Sequence, residues 1–146
     1  MNKIGAIERA RELVAAKVPF LHQGRDFSGI DCIGALRYIF QYEGELPAYP
    51  ADPIHGELEA NLDRIVGQPV IVVPRLQPLT TQDQLSSLDI VTMQYAGPTR
   101  HVAFVLPHIN IPGVLSIVHT DAMLGRVTEH ILDVKWLRRI VKVYRV

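Results

Sequence analysis

The sequence predicts an α+β fold, with helices in the first half of the chain and an antiparallel sheet in the second half. As far as residue 66, apolar residues recur at the spacing of helices, whereas from residue 70 onward they follow the alternation of strands. This order of elements is typical of the α+β class. The 146 residues are 48% apolar and 21% charged, which indicates one globular domain over residues 1–146.

Three helices are expected in the first half. Residues 4–16 carry apolar side chains at helical spacing, and this helix should end before Pro19. The segment CIGALRYIFQYEG, residues 32–44, is apolar on most faces, which indicates a buried helix. Residues 55–66 fit a short amphipathic helix ended by Gly67.

The second half reads as a sheet of about five to six strands. The expected strands cover 70–73, 89–95, 101–106, 114–120, 126–132 and 140–146. Between the last two, Asp133 should cap a short helical turn that runs through Trp136 to Arg139. Trp136 is interpreted as core packing against the sheet.

Composition excludes several classes of function. Fifteen basic and fifteen acidic residues argue against nucleic acid as a partner. A single cysteine excludes an intrachain disulfide, and six histidines without metal spacing lead us to expect no metal or other cofactor. No window approaches the roughly 18 apolar residues of a membrane span, so no membrane insertion is expected. The opening MNKIGAIERARELVAAKV lacks the apolar core of a signal peptide, which predicts synthesis in a cytoplasm.

Cys32 lies where a loop meets the second helix. Asp31 is a good N-cap residue, so Cys32 should lie in the first helical turn. Free N–H groups and the helix dipole favour an anion there, so we expect a lowered thiol pKa and a thiolate nucleophile. The alternative is that a lone cysteine serves as a small buried hydrophobic residue.

Two histidines are candidates for the base that such a nucleophile needs. His101 opens one strand and His119 ends the next. Alternation places His101 with Ala103 on one face, and a hairpin would bring both histidines to the face that packs on the Cys32 helix. His119 would then bond a ring nitrogen of His101 and fix its tautomer. The alternative is that each histidine is an ordinary core or surface residue whose ring forms structural hydrogen bonds only.

Four segments, in this order, resemble the NlpC family of papain-like cell-wall cysteine peptidases, in its phage-tail branch. VPFLHQGRDFSGIDCIGAL resembles the loop and nucleophile segment, and LSSLDIVTM the strand before the catalytic histidine. RHVAFVL resembles the histidine strand, and LSIVHTDAMLGRVTEHIL the segment with the third polar residue and the Arg-Val-x-Glu-His pattern of phage members. The resemblance covers nearly the whole chain.

The resemblance implies a papain-like fold and a catalytic set. Cys32 matches the nucleophile, His101 the general base and acid, and His119 the residue that orients the base. The family cleaves peptide bonds in bacterial peptidoglycan, so the implied substrate is a stem peptide. The implied setting is the tail of a virion, beside tail-tip or hub proteins, with delivery by the particle.

The chain departs from the family pattern near the nucleophile. Ile33 stands where many members have serine, and Phe20 stands where many have tyrosine. Both hydroxyls are therefore missing, and His22 or Gln23 would supply a polar group instead. The alternative for His22 is a solvent-facing loop histidine. The expected substrate-binding residues are Asp31, Phe20, His22 and Gln23.

Several other residues have plainer interpretations. Arg25 and Asp26 are expected to form a surface ion pair, with a place at the edge of the cleft as the alternative. Tyr49 is expected to be a turn aromatic packed on the domain, with a groove-lining role as the alternative. His55, His108 and His130 are expected at the surface.

Two functions from different classes remain open. The first is a peptidoglycan endopeptidase carried by a tailed phage or a related particle. The second is a tail-tip structural or assembly protein that retains the fold with little or no activity. The complete catalytic set favours the enzyme, and the altered positions near Cys32 favour a structural role.

Overall fold

The computed structural model describes residues 1–46, 48–51, 53–54, 56–95, 97–120 and 122–146. Four helices lie in this part of the chain: α1 (Ala6–Ala15), α2 (Cys32–Ile39), α3 (Glu57–Ile65) and α4 (Val134–Leu137). The strands are β1 (Arg25–Asp26), β2 (Gly29–Ile30), β3 (Ile71–Val72), β4 (Ile90–Gln94), β5 (Arg100–Pro107), β6 (Leu115–His119), β7 (Thr128–Ile131) and β8 (Ile140–Tyr144). The α+β prediction is confirmed.

The main sheet has six antiparallel strands in the order β3-β8-β4-β5-β6-β7. All six expected strands are present, which confirms the predicted sheet. A second sheet pairs β1 with β2 inside the loop before α2. This small sheet was not predicted, because strands of two residues are too short to show alternation.

Each face of the main sheet carries a hydrophobic cluster, and alternate residues of β5 belong to different clusters. Val102 and Phe104 pack with buried residues of α1 and α2. Ala103 and Val105 pack on the other face with Leu137 of α4. Helix α2 is therefore held against the centre of the sheet. Among the described residues, no helix is both long enough and apolar enough to cross a bilayer.

Two predicted helix caps are confirmed. The Asp31 carboxylate accepts a hydrogen bond from the backbone N–H of Gly34 at 2.8 Å, at the start of α2. Asp133 accepts one from the N–H of Trp136 at 3.1 Å, at the start of α4. Such caps satisfy N–H groups that lack partners within the helix.

Helix α2 ends at Ile39, earlier than the expected stop at Gly44. Gln41 adopts a left-handed conformation with φ 51°, and the N–H of Tyr42 donates to the carbonyl of Arg37 at 3.0 Å. This six-to-one hydrogen bond around a left-handed residue is a common helix ending. The apolar pattern continues past it because the following residues also pack on the core.

Helices α1 and α3 lie inside their expected ranges, 4–16 and 55–66. Residue 55, at the predicted start of the third helix, lies outside the described residues. The surface location expected for His55 therefore stays a prediction.

Candidate active site

Cys32 and His101 line one cavity of about 300 Å³, where α2 and β5 begin. Further residues in its lining are Phe20, His22, Asp31, Tyr49, Tyr95, Arg100 and Thr120. The fold thus brings together the expected nucleophile, the expected base and three of the four expected substrate-binding residues. Gln23 is not among the lining residues that the structure describes.

The Cys32 thiol is buried and protonated at neutral pH. Its residue is 9% exposed, and the backbone of Val102 and Ile33, together with the neighbouring Tyr49 hydroxyl, acts to lower the thiol pKa. Burial, followed by the neighbouring Asp31 carboxylate, nevertheless raises the thiol pKa to about 12. The expected lowering of this pKa is wrong, because loss of hydration and a nearby anion outweigh the favourable field of the helix terminus.

Asp31 is the centre of a hydrogen-bond network beneath the cavity. Besides the N–H of Gly34, its Oδ1 accepts from Nη1 of Arg25 at 2.8 Å. Its Oδ2 accepts from the N–H of Gln23 at 2.7 Å and from the Tyr49 hydroxyl. With four donors on a buried carboxylate, Asp31 fixes the loop, the helix start and Tyr49 relative to one another.

The expected ion pair between Arg25 and Asp26 is wrong. Arg25 pairs with buried Asp31 and not with Asp26, whose carboxylate instead accepts from the backbone and the hydroxyl of Ser28. The Gln23 amide donates to the backbone carbonyl of Tyr49 at 3.3 Å. Sequence adjacency suggested the first pair, but the β1–β2 turn brings Arg25 to Asp31. Gln23 therefore supports the loop that carries Tyr49.

His101 lies on β5 opposite Met93 of β4 and is half-buried. We expected both histidines on the sheet face that packs against α2, and this expectation is wrong for His101 and for His119, which lies opposite Ala103. Helix α2 covers the face that carries Val102, whereas Met93 and Ala103 belong to the cluster on the other face. His101 reaches the Cys32 cavity because it lies near the beginning of β5, at the end of the sheet.

Tyr95 contacts both histidines of the expected catalytic set. Its ring stacks on the His101 ring, with centroids 4.2 Å apart and planes 11° apart. Its hydroxyl lies 3.1 Å from Nδ1 of His119, within hydrogen-bond distance. Tyr95 therefore links the two rings, and the direct bond expected between them stays a prediction.

His119 is buried on β6 and forms part of an aromatic group. It lies opposite Ala103, and its Nε2 is 2.7 Å from Nε2 of His130. One of these two nitrogens must donate and the other accept, so the tautomers of the two rings are coupled. The Trp136 ring lies 4.9 Å from His119 and 4.4 Å from His130, centroid to centroid. His130 is thus half-buried and bonded, not the surface histidine expected, and Trp136 packs as expected.

The remaining described histidines differ in their surroundings. His22 lines the cavity, and its ring meets Tyr49 edge to face at a centroid distance of 5.5 Å. His108 is half-buried, and its Nδ1 accepts from the N–H groups of Asn110 and Ile111, both at 3.1 Å. His108 therefore fixes its own turn.

Sequence reasoning gave too little weight to three cavity residues. Tyr49 packs in the core as expected, and it also lines the site, so both of its interpretations are confirmed. Met93 is paired with His101, and strand alternation places Tyr95, two residues further on, on the same face as Met93. The sequence pattern could therefore have placed Tyr95 near His101. Thr120 is buried in the lining, and its hydroxyl has no hydrogen-bond partner among the described residues. A buried hydroxyl of this kind is suited to bonding a bound molecule.

Comparison with known proteins finds no family model that matches the chain and no significant match among curated proteins. The resemblance to the NlpC family therefore depends on the order of four short segments. The cavity provides separate support for a site, because it depends only on side-chain positions.

Proposed function

We propose that the chain is a papain-like cysteine peptidase of the NlpC type, which cleaves peptide bonds in peptidoglycan stem peptides and is carried by a phage tail or a related particle. The observation that carries the proposal is the shared cavity of Cys32 and His101, with the thiol at the start of a buried helix. A helix packed on an antiparallel sheet is also the arrangement that this family resemblance implies.

The raised pKa of Cys32 determines how the first step proceeds. Because the resting thiol is protonated, attack requires a base at the moment of bond formation. In the proposed step the Cys32 sulfur bonds the substrate carbonyl carbon while its proton passes to a ring nitrogen of His101. Backbone N–H groups at the start of α2 would stabilise the resulting oxyanion.

The remaining steps return the enzyme to its starting state. The carbon–nitrogen bond breaks, and the leaving amine takes the proton from His101, which leaves a thioester on Cys32. Water then adds to the thioester and gives a proton to His101. The carbon–sulfur bond breaks, the sulfur takes the proton back from His101, and the product departs as a carboxylic acid that ionises in solvent.

Tyr95 and His119 would act as positioning residues in this scheme. The stacked Tyr95 ring limits rotation of the His101 ring, and its hydroxyl ties that arrangement to buried His119. A base held in one orientation has less freedom to lose when the substrate binds.

A second candidate function is a structural or assembly role at a tail tip. The observation in its favour is the burial of Cys32, since a poorly exposed thiol with a raised pKa also suits a packing residue. Under this alternative the cavity would persist from an active ancestor, and Cys32→Ala would leave function intact.

Release of stem peptides from purified sacculi separates the two functions. We expect Cys32→Ala and His101→Gln each to lower the rate by at least about 100-fold, the typical contribution of a nucleophile or base. His108→Gln is the matched control, because this histidine lies outside the cavity. An inert wild type, together with normal infection by particles that carry Cys32→Ala, would support the structural role.

A further inference from the structure

A second cavity adjoins the Cys32 cavity and is lined by arginines. Its volume is about 540 Å³, and it shares Tyr95 and Arg100 with the first cavity. Its four basic residues are Arg75, Arg100, Arg138 and Arg139, and we call it the arginine groove. No aspartate or glutamate is among the described residues that line it. The groove is therefore strongly cationic although the chain as a whole is neutral.

Two of the guanidinium groups are held in place. Arg139 lies over two rings, with its guanidinium carbon 4.3 Å from the Trp136 centroid and 5.0 Å from the Tyr95 centroid. Arg100 pairs with buried Glu59 at 3.0 Å and also donates to the Gln94 amide oxygen at 2.6 Å. These contacts fix the direction of both side chains before any ligand arrives, which lowers the entropy lost on binding.

The other two arginines leave their charges available. Arg75 and Arg138 are exposed, and neither forms an ion pair among the described residues. Among the described residues, Arg100 alone of the four has its charge offset by a carboxylate, so three cationic groups line one groove. The remaining wall includes Val73, Pro74 and other apolar residues. Apolar walls with a few charged groups suit a peptide segment better than a bare phosphate chain.

We propose that the arginine groove binds carboxylate groups of the peptide whose scissile bond lies at Cys32. This inference rests on the proposed peptidase function and specifies its substrate class, an acidic peptide. Arginine pairs with carboxylates through two parallel hydrogen bonds, which gives both affinity and orientation. The shared residues Tyr95 and Arg100 place the groove beside the cavity of the nucleophile, and under this proposal one peptide extends across both.

The test measures binding apart from catalysis, with Cys32→Ala as the background. The probes are a dye-labelled tetraglutamate peptide, a matched tetraglutamine peptide and a dye-labelled single-stranded oligonucleotide, followed by fluorescence anisotropy at low salt. We expect the glutamate peptide to bind, and Arg75→Gln with Arg138→Gln to weaken its affinity about tenfold or more. Arg64→Gln, an exposed arginine of α3 outside the groove, is the matched control and should change affinity less than about twofold.

Three results would overturn the groove assignment. They are no binding of tetraglutamate at millimolar protein, equal binding of tetraglutamine, and tighter arginine-dependent binding of the oligonucleotide. Thermal unfolding of each variant checks that folding is unchanged, since both substituted side chains are exposed. If the wild type releases no stem peptide from sacculi but the double variant still loses tetraglutamate binding, the groove assignment stands and the peptidase proposal is rejected. If the wild type and the double variant release stem peptides at the same rate, the peptidase proposal stands and the groove assignment is rejected.

Discussion

The ring of Tyr95 lies flat against the ring of His101, with centroids 4.2 Å apart, and its hydroxyl is 3.1 Å from His119. The two histidines singled out in the sequence are therefore connected through a third residue. That connection gives each part of Tyr95 a separate role, because the ring holds His101 and the hydroxyl holds His119.

Substitution of Tyr95 should separate these roles. Tyr95→Phe keeps the stacked ring and removes only the bond to His119, so we expect a loss of about tenfold or less in kcat for stem-peptide release. Tyr95→Ala removes both contacts, and we expect a larger loss together with a changed pH profile, because the base is no longer held. Equal activity of the two variants and the wild type would show that Tyr95 does not position His101.

Removal of the Tyr49 hydroxyl should destabilise the protein. Tyr49→Phe takes one donor from the buried Asp31 carboxylate, and hydrogen bonds to charged groups contribute about 1.5–3 kcal/mol. We expect a loss of this size in the free energy of unfolding, measured with urea. Tyr42→Phe, at a half-buried tyrosine outside the Cys32 cavity, is the control and should stay within about 0.5 kcal/mol.

The raised pKa of Cys32 predicts how stability depends on pH. The folded pKa of about 12 exceeds the ordinary value of 9.0, so the stabilising contribution is complete below pH 9.0 and is lost as the pH rises toward 12. Wild type should therefore lose stability relative to Cys32→Ser between pH 9 and pH 10.5, by up to about 1.4 kcal/mol per pH unit. Urea unfolding at several pH values measures this difference.

Alkylation of the thiol provides an independent check of the same pKa. The rate with iodoacetamide should keep rising above pH 9, because little thiolate is present at neutral pH. A rate that levels off near pH 7, or stability curves that run parallel for wild type and Cys32→Ser, would contradict the buried and protonated thiol.

A side chain at Gly34 should lower the stability of the fold. A Cβ atom at this position would lie 2.3 Å from the carbonyl oxygen of Gly24, a backbone atom that cannot move alone. Alanine favours helices over glycine by about 1 kcal/mol, yet we expect Gly34→Ala to destabilise by about 1–3 kcal/mol through overpacking. Thermal unfolding measures the change, and an increase in stability would show that the loop and α2 can separate without cost.

Local sequence patterns were sufficient for the strands of the main sheet and for the caps that begin α2 and α4. The six strands of the main sheet match their expected ranges within two residues at each end, because alternation depends only on neighbours along the chain. The start of α2 at Cys32 followed from Asp31, since a capping side chain bonds an N–H three residues away. The end of α2 was missed, because apolar residues continue beyond the left-handed turn at Gln41.

The sequence by itself determined the α+β class, the strands of the main sheet and the position of Cys32 at a helix start, all of which depend on short-range patterns. Only the tertiary structure decided which sheet face α2 covers, that Arg25 pairs with Asp31, and that Tyr49 and Tyr95 reach the cavity. It also decided the sign of the pKa shift of Cys32, from lowered to raised. The reason is that hydration and charge around a side chain depend on residues far away in the sequence, which the packed fold alone brings together.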